Sequence, residues 1–390
     1  MRVLILGGDG YLGWPTAMHF AVRGHQVLAA DSYVKREWEK EVGAAPLERV
    51  ELLAERARRW NRDNENHEIR TSRGDLTNVD YTYSLVHDFR PDAIIHYGEQ
   101  PSAPFSMIDA VHASTTQANN VVGTLNVLFA MRDVVPDAHL VKLGSMGEYG
   151  TPNIAIEEGY LRVEHKGRVD TLPYPKQPGS FYHLSKVHDS ANLYFASRAW
   201  NLSITDLNQG VVYGVWTNEM ALPGGSGTSF HYDGIFGTVL NRFCVQAVAG
   251  VPLTVYGSGR QQRAFLNIRD TLQCVDIAVR NPARKGAPRV FNQFTEQFSV
   301  QELAARVQEA GQKVKIPVAI RHLNNPRTEA DSHYYAPSNA SLLRLGLKPS
   351  LLSDELVTSM LKHVEKHAAS IDLAHIFPSI SWRSTTIESQ

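Results

Sequence analysis

Tyr182 and Lys186 are the residues of this sequence whose types and spacing most directly suggest chemistry. A separation of four places them on one face of a helix, where the ammonium can lower the pKa of the phenol. A phenolate beside a nicotinamide is a general base that takes a proton from a hydroxyl while hydride leaves its carbon. Ser145, just past an apolar run, could hydrogen-bond the same hydroxyl oxygen. Together they predict redox chemistry at a hydroxyl-bearing carbon.

A glycine-rich turn near the start of the chain predicts where a cofactor binds. The apolar run 3–6 opens onto Gly7, Gly10 and Gly13. Gly7 permits a tight exit from a strand, Gly10 lets the backbone approach a pyrophosphate, and Gly13 lets the next helix pack closely. The positive N-terminus of that helix faces the anion. The pattern is typical of a dinucleotide-binding turn.

The end of the second predicted strand indicates which dinucleotide binds. Residues 26–30 are mostly apolar and end at Asp31. A carboxylate there accepts hydrogen bonds from the two ribose hydroxyls and repels a 2′-phosphate, so we predict NAD rather than NADP. The basic residues Lys35 and Arg36 follow closely and are expected to lie at the same cofactor edge.

These side chains must be positioned by an alternation of strands and helices. Strands are predicted at 3–6, 26–30, near 69, and at 93–96, 139–143 and 203–209, with helices at 81–88, 119–133 and 185–200. This rhythm predicts an α/β fold: a doubly wound parallel Rossmann sheet with a smaller C-terminal α/β substrate lobe. We assign 1–214 to the NAD-binding domain and 215–390 mainly to the lobe, with 260–280 returning to the first domain. Strands at 253–256 and 289–292 are assigned to the lobe, and 38–66 is taken as a solvated helical insertion without chemistry.

Composition narrows the class of protein. The 39 basic and 40 acidic residues give a formal net charge of −1, which favours neither nucleic acid nor a membrane surface as partner. The two cysteines, Cys244 and Cys274, suggest core residues in a reducing compartment. The opening residues leave no room for a leader peptide before the first strand. We therefore expect a cytoplasmic protein without a membrane span, and we predict no metal site.

Longer strings resemble the extended short-chain dehydrogenase/reductase superfamily and, within it, the UDP-sulfoquinovose synthase family. The matching strings lie at residues 7–11, 96–100, 106–109, 143–154, 170–177, 182–190, 206–214 and 291–300. The resemblance runs nearly end to end. It implies an enzyme that makes UDP-6-sulfoquinovose from UDP-glucose and sulfite, as head-group donor for sulfolipid or for sulfoquinovose-bearing glycans.

The resemblance also implies an order of steps. Bound NAD oxidises glucose at carbon 4, with Tyr182 as base, Lys186 holding ribose and phenolate, and Ser145 orienting the hydroxyl. Water is then lost across carbons 5 and 6, sulfite adds at carbon 6, and hydride returns to carbon 4. Because NAD is regenerated in each cycle, the enzyme should hold it tightly.

Further binding residues follow from matching positions in that family. The positions implied for the cofactor are Tyr11, Leu12, Asp75, Leu76, Asn119 and Val212, and those implied for UDP are Asn241, Arg242, Thr254, Tyr256, Gln262, Arg263, Arg327 and Glu329. Arginines suit a pyrophosphate because their planar fork binds phosphoryl oxygens in pairs. For sulfite, a small dianion, the candidate donors are Gln100, Ser102 and Gln209, near predicted strand ends.

One departure from related enzymes concerns the elimination. Nucleotide-sugar 4,6-dehydratases carry an Asp-Glu pair directly after the serine or threonine, where this sequence has Met146 and Gly147. We therefore nominate His183 and Glu148 for acid and base work, since a histidine ordinarily titrates near neutral pH. Against this, His183 could only hydrogen-bond nearby backbone, and Glu148 could be a structural partner for a backbone amide.

The sulfur donor and the exact activity stay open at the level of sequence. Plant members of the family carry an arginine after the Glu-Gln pair where this sequence has Pro101, which leaves the sulfur donor and its delivery undecided. A UDP-glucose 4-epimerase would share the same NAD, serine, tyrosine and lysine, and an NAD-sensing regulator would share the fold alone. By analogy with the superfamily, we expect a homodimer formed through helices at 119–133 and 185–200.

Overall fold

A computed structural model describes residues 1–325, 327, 333–377 and 380–382. The predicted UDP residue Glu329 lies outside the described residues. The strands are β1 Arg2–Leu6, β2 Gln26–Asp31, β3 Ile69–Arg73, β4 Ala93–His96, β5 His139–Ser145, β6 Tyr160–His165, β7 Arg168–Pro173, β8 Ser203–Gln209, β9 Val211–Tyr213, β10 Leu253–Tyr256, β11 Gln262–Asn267, β12 Arg289–Gln293, β13 Glu296–Ser299 and β14 Ile320–Leu323. The helices are α1 Gly13–Ala21, α2 Val34–Glu41, α3 Leu53–Asp63, α4 Val79–Phe89, α5 Ala110–Gln117, α6 Gly123–Val134, α7 Phe181–Trp200, α8 Val239–Val248, α9 Ile268–Arg280, α10 Val300–Lys313, α11 Ala340–Arg344 and α12 Asp354–Lys366.

The predicted parallel sheet is confirmed. Seven strands lie in the order β12-β8-β5-β4-β1-β2-β3, and every neighbouring pair is parallel. Val3, Leu4 and Ile5 of the interior strand β1 are fully buried, because helices cover both faces of the sheet. The chain moves outward from β1 in both directions, so β1 and β4 flank the point where the strand order reverses. Ligands of such sheets bind outside the carboxyl ends of the strands at that point.

The carboxyl edge of the sheet gathers the predicted chemistry. Ser145 ends β5 and lies in register with Gln209, which ends β8. Helix α7 begins after Ser180, whose hydroxyl accepts a hydrogen bond from the His183 amide at 3.1 Å. That N-cap places Tyr182 and Lys186 in the first turns of the helix. Strand ends and a helix start therefore converge on one side of the sheet.

The C-terminal part has its own apolar core, in which α8, α10 and α12 pack together with β10. Strands β10 and β14 form a parallel pair, and β9, β11 and β13 form a three-stranded sheet. The assignment of 289–292 to the lobe was wrong. These residues form β12, an edge strand of the main sheet, where Phe291 pairs with Leu207 and is buried.

The segment 38–66 is not a single solvated helix. It forms the C-terminal half of α2, an irregular stretch, and α3, whose Arg56, Ala57 and Trp60 are all buried. The Trp60 ring packs edge-on against Trp14 with centroids 6.5 Å apart. Leu53, Ala57 and Trp60 recur at helical spacing, so α3 buries one face although most of its residues are polar.

Two expectations from composition can be compared with the fold. Cys244 and Cys274 are both buried and free, as expected of core residues. None of the helices in the described part of the chain combines the length and apolar character needed to cross a bilayer.

Candidate active site

A cavity of about 880 Å³ runs from the glycine turn to the C-terminal part of the chain. Of the predicted site residues it is lined by Gly7, Gly10, Tyr11, Leu12, Gly13, Asp31, Lys35, Arg36, Asp75, Leu76, Ser102, Asn119, Ser145, Tyr182, His183, Lys186, Gln209, Val212, Asn241, Arg242, Thr254, Tyr256, Arg263 and Arg327. Gln100, Glu148 and Gln262 are not among its lining residues. One cavity therefore joins the predicted cofactor, catalytic and nucleotide residues.

The glycine turn has the shape that a dinucleotide requires. Gly7 has a φ of +84°, and its amide donates to the Ala30 carbonyl at 2.8 Å. A Cβ on Gly13 would lie 2.0 Å from the Gly7 oxygen, so the close approach of α1 to the turn needs glycine there. A Cβ on Gly10 would meet only that same oxygen, at 3.4 Å, which leaves its cavity side open. The backbone thus presents a cradle that side chains would fill.

The predicted ribose carboxylate lies at the far end of that turn. Asp31 accepts hydrogen bonds from the backbone amides of Asp9 and Tyr33 at 2.9 and 2.7 Å. Burial raises its pKa, and these amides partly offset the rise. Arg36, expected at the cofactor edge, lines the cavity but binds the Asp9 carboxylate at 2.6 Å, so its charge is compensated within the protein. The site fits NAD.

The tyrosine and lysine lie close together, and several other groups also act on the pKa of the phenol. The Lys186 ammonium is 5.7 Å from the centre of the Tyr182 ring. Burial raises the pKa of Tyr182, the Glu99 carboxylate raises it further, and Lys142 and a hydrogen bond with Ser145 lower it. Lys186 donates to the Glu99 carboxylate, which offsets its positive charge, so the lowering of the Tyr182 pKa by Lys186 stays a prediction.

Glu99 is a functional candidate that sequence reasoning missed. It accepts a hydrogen bond from Lys186 and forms an ion pair with Lys142 at 3.0 Å, and Lys142 also donates to Asp189 at 2.8 Å. The side chains of these four residues are at most 4% exposed. The two lysines lower the pKa of Glu99 against the effect of burial. A lysine inside the apolar strand β5 and an acid just after β4 were the signals that could have found this network.

His183 lies beside the serine turn with a defined partner. Its Nδ1 is 2.9 Å from the Ser180 hydroxyl, and its ring centre is 5.1 Å from that of Tyr182. A Cβ on Gly147 would lie 2.2 Å from Nε2, so this glycine makes room for the ring. Burial first, and then Arg327, lower the pKa of His183 to about 3. The ring is therefore neutral in the free protein, not poised to titrate near pH 7 as the sequence suggested.

Glu148 was wrongly nominated for acid and base work. It is fully buried and does not line the cavity. Its carboxylate accepts hydrogen bonds from the Ser145 amide at 2.7 Å, from the Ser190 hydroxyl at 2.9 Å and from Lys176. It closes a capping box on the short turn at Met146–Glu148. Glu148 is a structural partner that shapes the serine turn.

The predicted sulfite donors differ in their availability. Gln100 is fully buried, and its side-chain amide both donates to the Ser102 carbonyl at 3.1 Å and accepts from the Ser102 amide at 2.9 Å. Since those groups are used internally, Gln100 is not available as a donor. Ser102 lines the cavity while its hydroxyl donates to the Ile235 carbonyl at 2.6 Å. Gln209 lines the cavity with a long 3.4 Å contact to Thr271.

The nucleotide end has a buried cation facing the cavity. Arg242 is 8% exposed, and its buried Nε lacks a protein hydrogen-bond partner. A phosphoryl oxygen would satisfy that donor, which fits the predicted pyrophosphate contact. Tyr256 also lines this end, and burial raises the pKa of its phenol. Of two neighbouring residues predicted on β11, Arg263 lines the cavity and Gln262 does not, because side chains alternate along a strand.

Three further residues predicted to bind nucleotide or cofactor line the cavity and also form hydrogen bonds within the protein. Thr254 is buried and its hydroxyl accepts from Gln246 at 2.9 Å. Asn241 donates to the His231 carbonyl at 3.1 Å, and Tyr11 donates to the Gly214 carbonyl at 2.5 Å. Sequence reasoning missed Gln261, whose side chain lines the cavity with a buried oxygen that has no protein partner.

Comparison with known proteins agrees with this geometry. Residues 3–292 match the model of the NAD dependent epimerase/dehydratase family. A chloroplastic UDP-sulfoquinovose synthase of Spinacia oleracea is 50% identical over 389 residues, which cover 100% of this chain and 80% of the relative. A UDP-sulfoquinovose synthase of Sulfolobus acidocaldarius is 40% identical over 98% of each chain.

The chain belongs to the UDP-sulfoquinovose synthase family. The resemblance seen in the sequence strings is thereby confirmed, and so is NAD as the cofactor of the wider family. Among solved structures, a UDP-glucose 4-epimerase from Bifidobacterium longum in complex with NAD+ and UDP has a TM-score of 0.70 at 17% identity, over 95% of this chain and 100% of that one. A UDP-glucuronic acid 4-epimerase from Bacillus cereus has a TM-score of 0.69 at 17% identity, over 94% and 99% of the two chains. These two structural similarities concern the fold alone.

Replacing Asp31 tests the cofactor edge. Asp31→Asn keeps the shape but removes the negative charge, so NAD should bind about 10- to 100-fold more weakly, as expected for a lost charge-assisted hydrogen bond. Isothermal titration of NAD and NADP into cofactor-stripped protein measures this, with the exposed Asp88→Asn as matched control. An NAD affinity equal to the control's would contradict the role of Asp31.

Proposed function

We propose that this chain converts UDP-glucose and sulfite to UDP-6-sulfoquinovose and water. What carries the proposal is full-length similarity to two UDP-sulfoquinovose synthases, at 50% and 40% identity. The cavity supports it, since it brings Ser145, Tyr182 and Lys186 to one place beside the dinucleotide turn. When bound, NAD accepts the hydride from carbon 4 and returns it at the end of the cycle.

In the first step Tyr182 takes the proton of the sugar's 4-hydroxyl. Ser145 orients that hydroxyl, and its hydrogen bond with Tyr182 favours the phenolate. Lys186 would supply the cation beside the phenolate and hold the cofactor's ribose; burial lowers the pKa of Lys186, and the Glu99 carboxylate opposes that shift. The product of this step is a 4-ketone, which acidifies the proton at carbon 5.

In the second step a proton leaves carbon 5 and hydroxide leaves carbon 6, which together make one water. Met146 and Gly147 stand where the 4,6-dehydratases have an acid pair, so another group must move the proton. We assign this to His183: when Nδ1 donates to the Ser180 hydroxyl, Nε2 carries a lone pair beside Gly147. A neutral imidazole can then accept the carbon-5 proton.

In the third step the sulfur of sulfite bonds to carbon 6, and carbon 5 takes a proton supplied by solvent, because the proton it lost has left as part of the water. Arg327 and Arg263 both act electrostatically on His183, which indicates positive potential where the dianion must arrive. Pro101 lines the cavity and offers no donor, and the Ser102 hydroxyl already donates to the Ile235 carbonyl, so in this chain these arginines and Gln209 are the proposed attraction for sulfite. Final return of hydride to carbon 4 regenerates the hydroxyl.

The epimerase alternative has weaker support. A UDP-glucose 4-epimerase of Klebsiella pneumoniae is 28% identical over only 34% of this chain. An epimerase also has no use for a buried neutral histidine beside the sugar's carbon 5. An NAD sensor would not need the Tyr182, Lys186 and Ser145 arrangement that the cavity preserves.

We also propose a cytoplasmic homodimer whose product serves the synthesis of sulfolipid or of sulfoquinovose-bearing glycans. The helices expected at the dimer contact carry exposed apolar side chains, with Phe195 on α7 65% exposed and Phe129 on α6 37% exposed. An exposed apolar face of this kind is typical of a subunit interface. Light scattering of the purified chain decides between monomer and dimer.

The decisive experiment is mass spectrometry of nucleotide sugars after UDP-glucose and sulfite are mixed with purified protein without added cofactor. We expect a UDP-sugar carrying a sulfonate. Tyr182→Phe should retain bound NAD and make none, since phenylalanine fills the space but has no proton to exchange. UDP-galactose as product, or full activity of Tyr182→Phe, would overturn the proposal.

His183→Gln separates elimination from oxidation. Glutamine keeps hydrogen bonding but cannot accept a proton, so sulfonate formation should fall about 100-fold or more. Oxidation at carbon 4, followed by nicotinamide absorbance after UDP-glucose is added without sulfite, should persist. His188→Gln, farther along α7, is the matched control. Sulfonate formation at the control's rate would return His183 to a structural role.

A further inference from the structure

Three potential metal ligands meet outside the active site. Glu48 lies between α2 and α3, and His363 and His367 lie at the end of α12. The Glu48 carboxylate oxygen is 2.7 Å from Nε2 of His363 and 3.3 Å from Nε2 of His367. All three ligand atoms lie within 4.8 Å of one another. We call these three residues the Glu48 cluster.

His363 lies in the last turn of α12, and His367 is the residue that directly follows the helix. Their four-residue spacing, also used by zinc-binding helices, brings both imidazoles to the same carboxylate. The negative end of the α12 dipole lies at the same place and favours a cation. His363 is 14% exposed and packs against Phe230 and Trp216, so it approaches the carboxylate from a partly apolar side. The exposure of His367 and Glu48, 34% and 37%, leaves a path for entry.

The geometry points to a divalent transition-metal site, with Zn²⁺ as the reference ion, formed by Glu48, His363 and His367. Two imidazole nitrogens and one carboxylate oxygen are a ligand set that suits Zn²⁺, Ni²⁺ or Cu²⁺ better than Mg²⁺ or Ca²⁺. In a tetrahedral zinc site ligand atoms lie roughly 3.3 Å apart, close to the separations from the carboxylate. Water completes the fourth position. The expectation of no metal site is thereby revised: the His363 and His367 spacing was visible in the sequence, but the third ligand comes from a distant segment.

The ion would connect the C-terminal helix to a segment of the cofactor cavity. Pro46 and Val50, on either side of Glu48, both line that cavity. Arg36 donates a hydrogen bond to the Val50 carbonyl at 3.0 Å. Fixing Glu48 to α12 therefore restrains the stretch 46–50 against the bound cofactor. We therefore expect NAD to be released more slowly when the metal is bound.

Metal binding is tested with untagged, chelator-treated holoenzyme. Zn²⁺ titrated by calorimetry should bind at one ion per chain, and Cu²⁺ should quench the fluorescence of Trp216, whose ring is 6.4 Å from that of His363. The double variant H363A/H367A should lose at least about tenfold in affinity, as for removal of ligands. Glu48→Gln, which disturbs no helix, should weaken binding in the same direction, and His87→Ala, a histidine paired with Asp88 elsewhere, should not. Equal affinity in wild type and Glu48→Gln would overturn the site.

The link to the cofactor is tested separately. NAD release from wild type, followed by displacement with labelled NAD, should be severalfold slower with Zn²⁺ than with chelator. In H363A/H367A the two rates should agree. Zinc binding without any change in the release rate of the wild type would refute the link. These readouts need no sugar substrate, so they stand apart from the proposed synthase activity.

Discussion

The buried ion pairs of Glu99 with Lys186 and Lys142 are the constraint on which the site depends. All three side chains are almost fully buried, so each charge is stable only while its ion-pair partners are present. Breaking a buried pair by removing one member costs about 3–5 kcal/mol. Glu99 follows β4, Lys142 lies in the middle of β5 and Lys186 lies near the start of α7. The ion pairs between them therefore fix the position of the start of α7, with its tyrosine and lysine, relative to the edge of the sheet.

Two parts of the chain, the sheet and the C-terminal part, line the cavity around this network. The sheet supplies a cradle without side chains at Gly7, Gly10 and Gly13, which leaves the backbone open to the cofactor we place there. The C-terminal part supplies a buried cation, Arg242, whose Nε has no hydrogen-bond partner within the protein and is available to a phosphoryl oxygen. Tyr182 and His183 line the cavity between these two parts, where we propose that the reacting sugar binds.

Local pattern predicted the sheet, the glycine turn and the Tyr182 and Lys186 pair, because each depends on short-range periodicity. It could not place β12, since Phe291 joins β8 only through a long-range pairing. It also misjudged the role of Glu148 and the pKa of His183, because tertiary contacts decide both. Ser145 and Lys176 bind the Glu148 carboxylate, and the surroundings of His183 desolvate its imidazole. Glu99 was missed for the same reason: its partners are spread over three elements.

The measurement that tests this account most directly is the pH dependence of carbon-4 oxidation in Glu99→Gln and in wild type, followed by nicotinamide absorbance with UDP-glucose. The Glu99 charge raises the pKa of both Tyr182 and Lys186. Loss of that charge lowers both pKa values, so the rising limb, which reports the phenolate, and the falling limb, which reports loss of the ammonium, should both move to lower pH. A profile that stays in place or moves to higher pH would contradict the account.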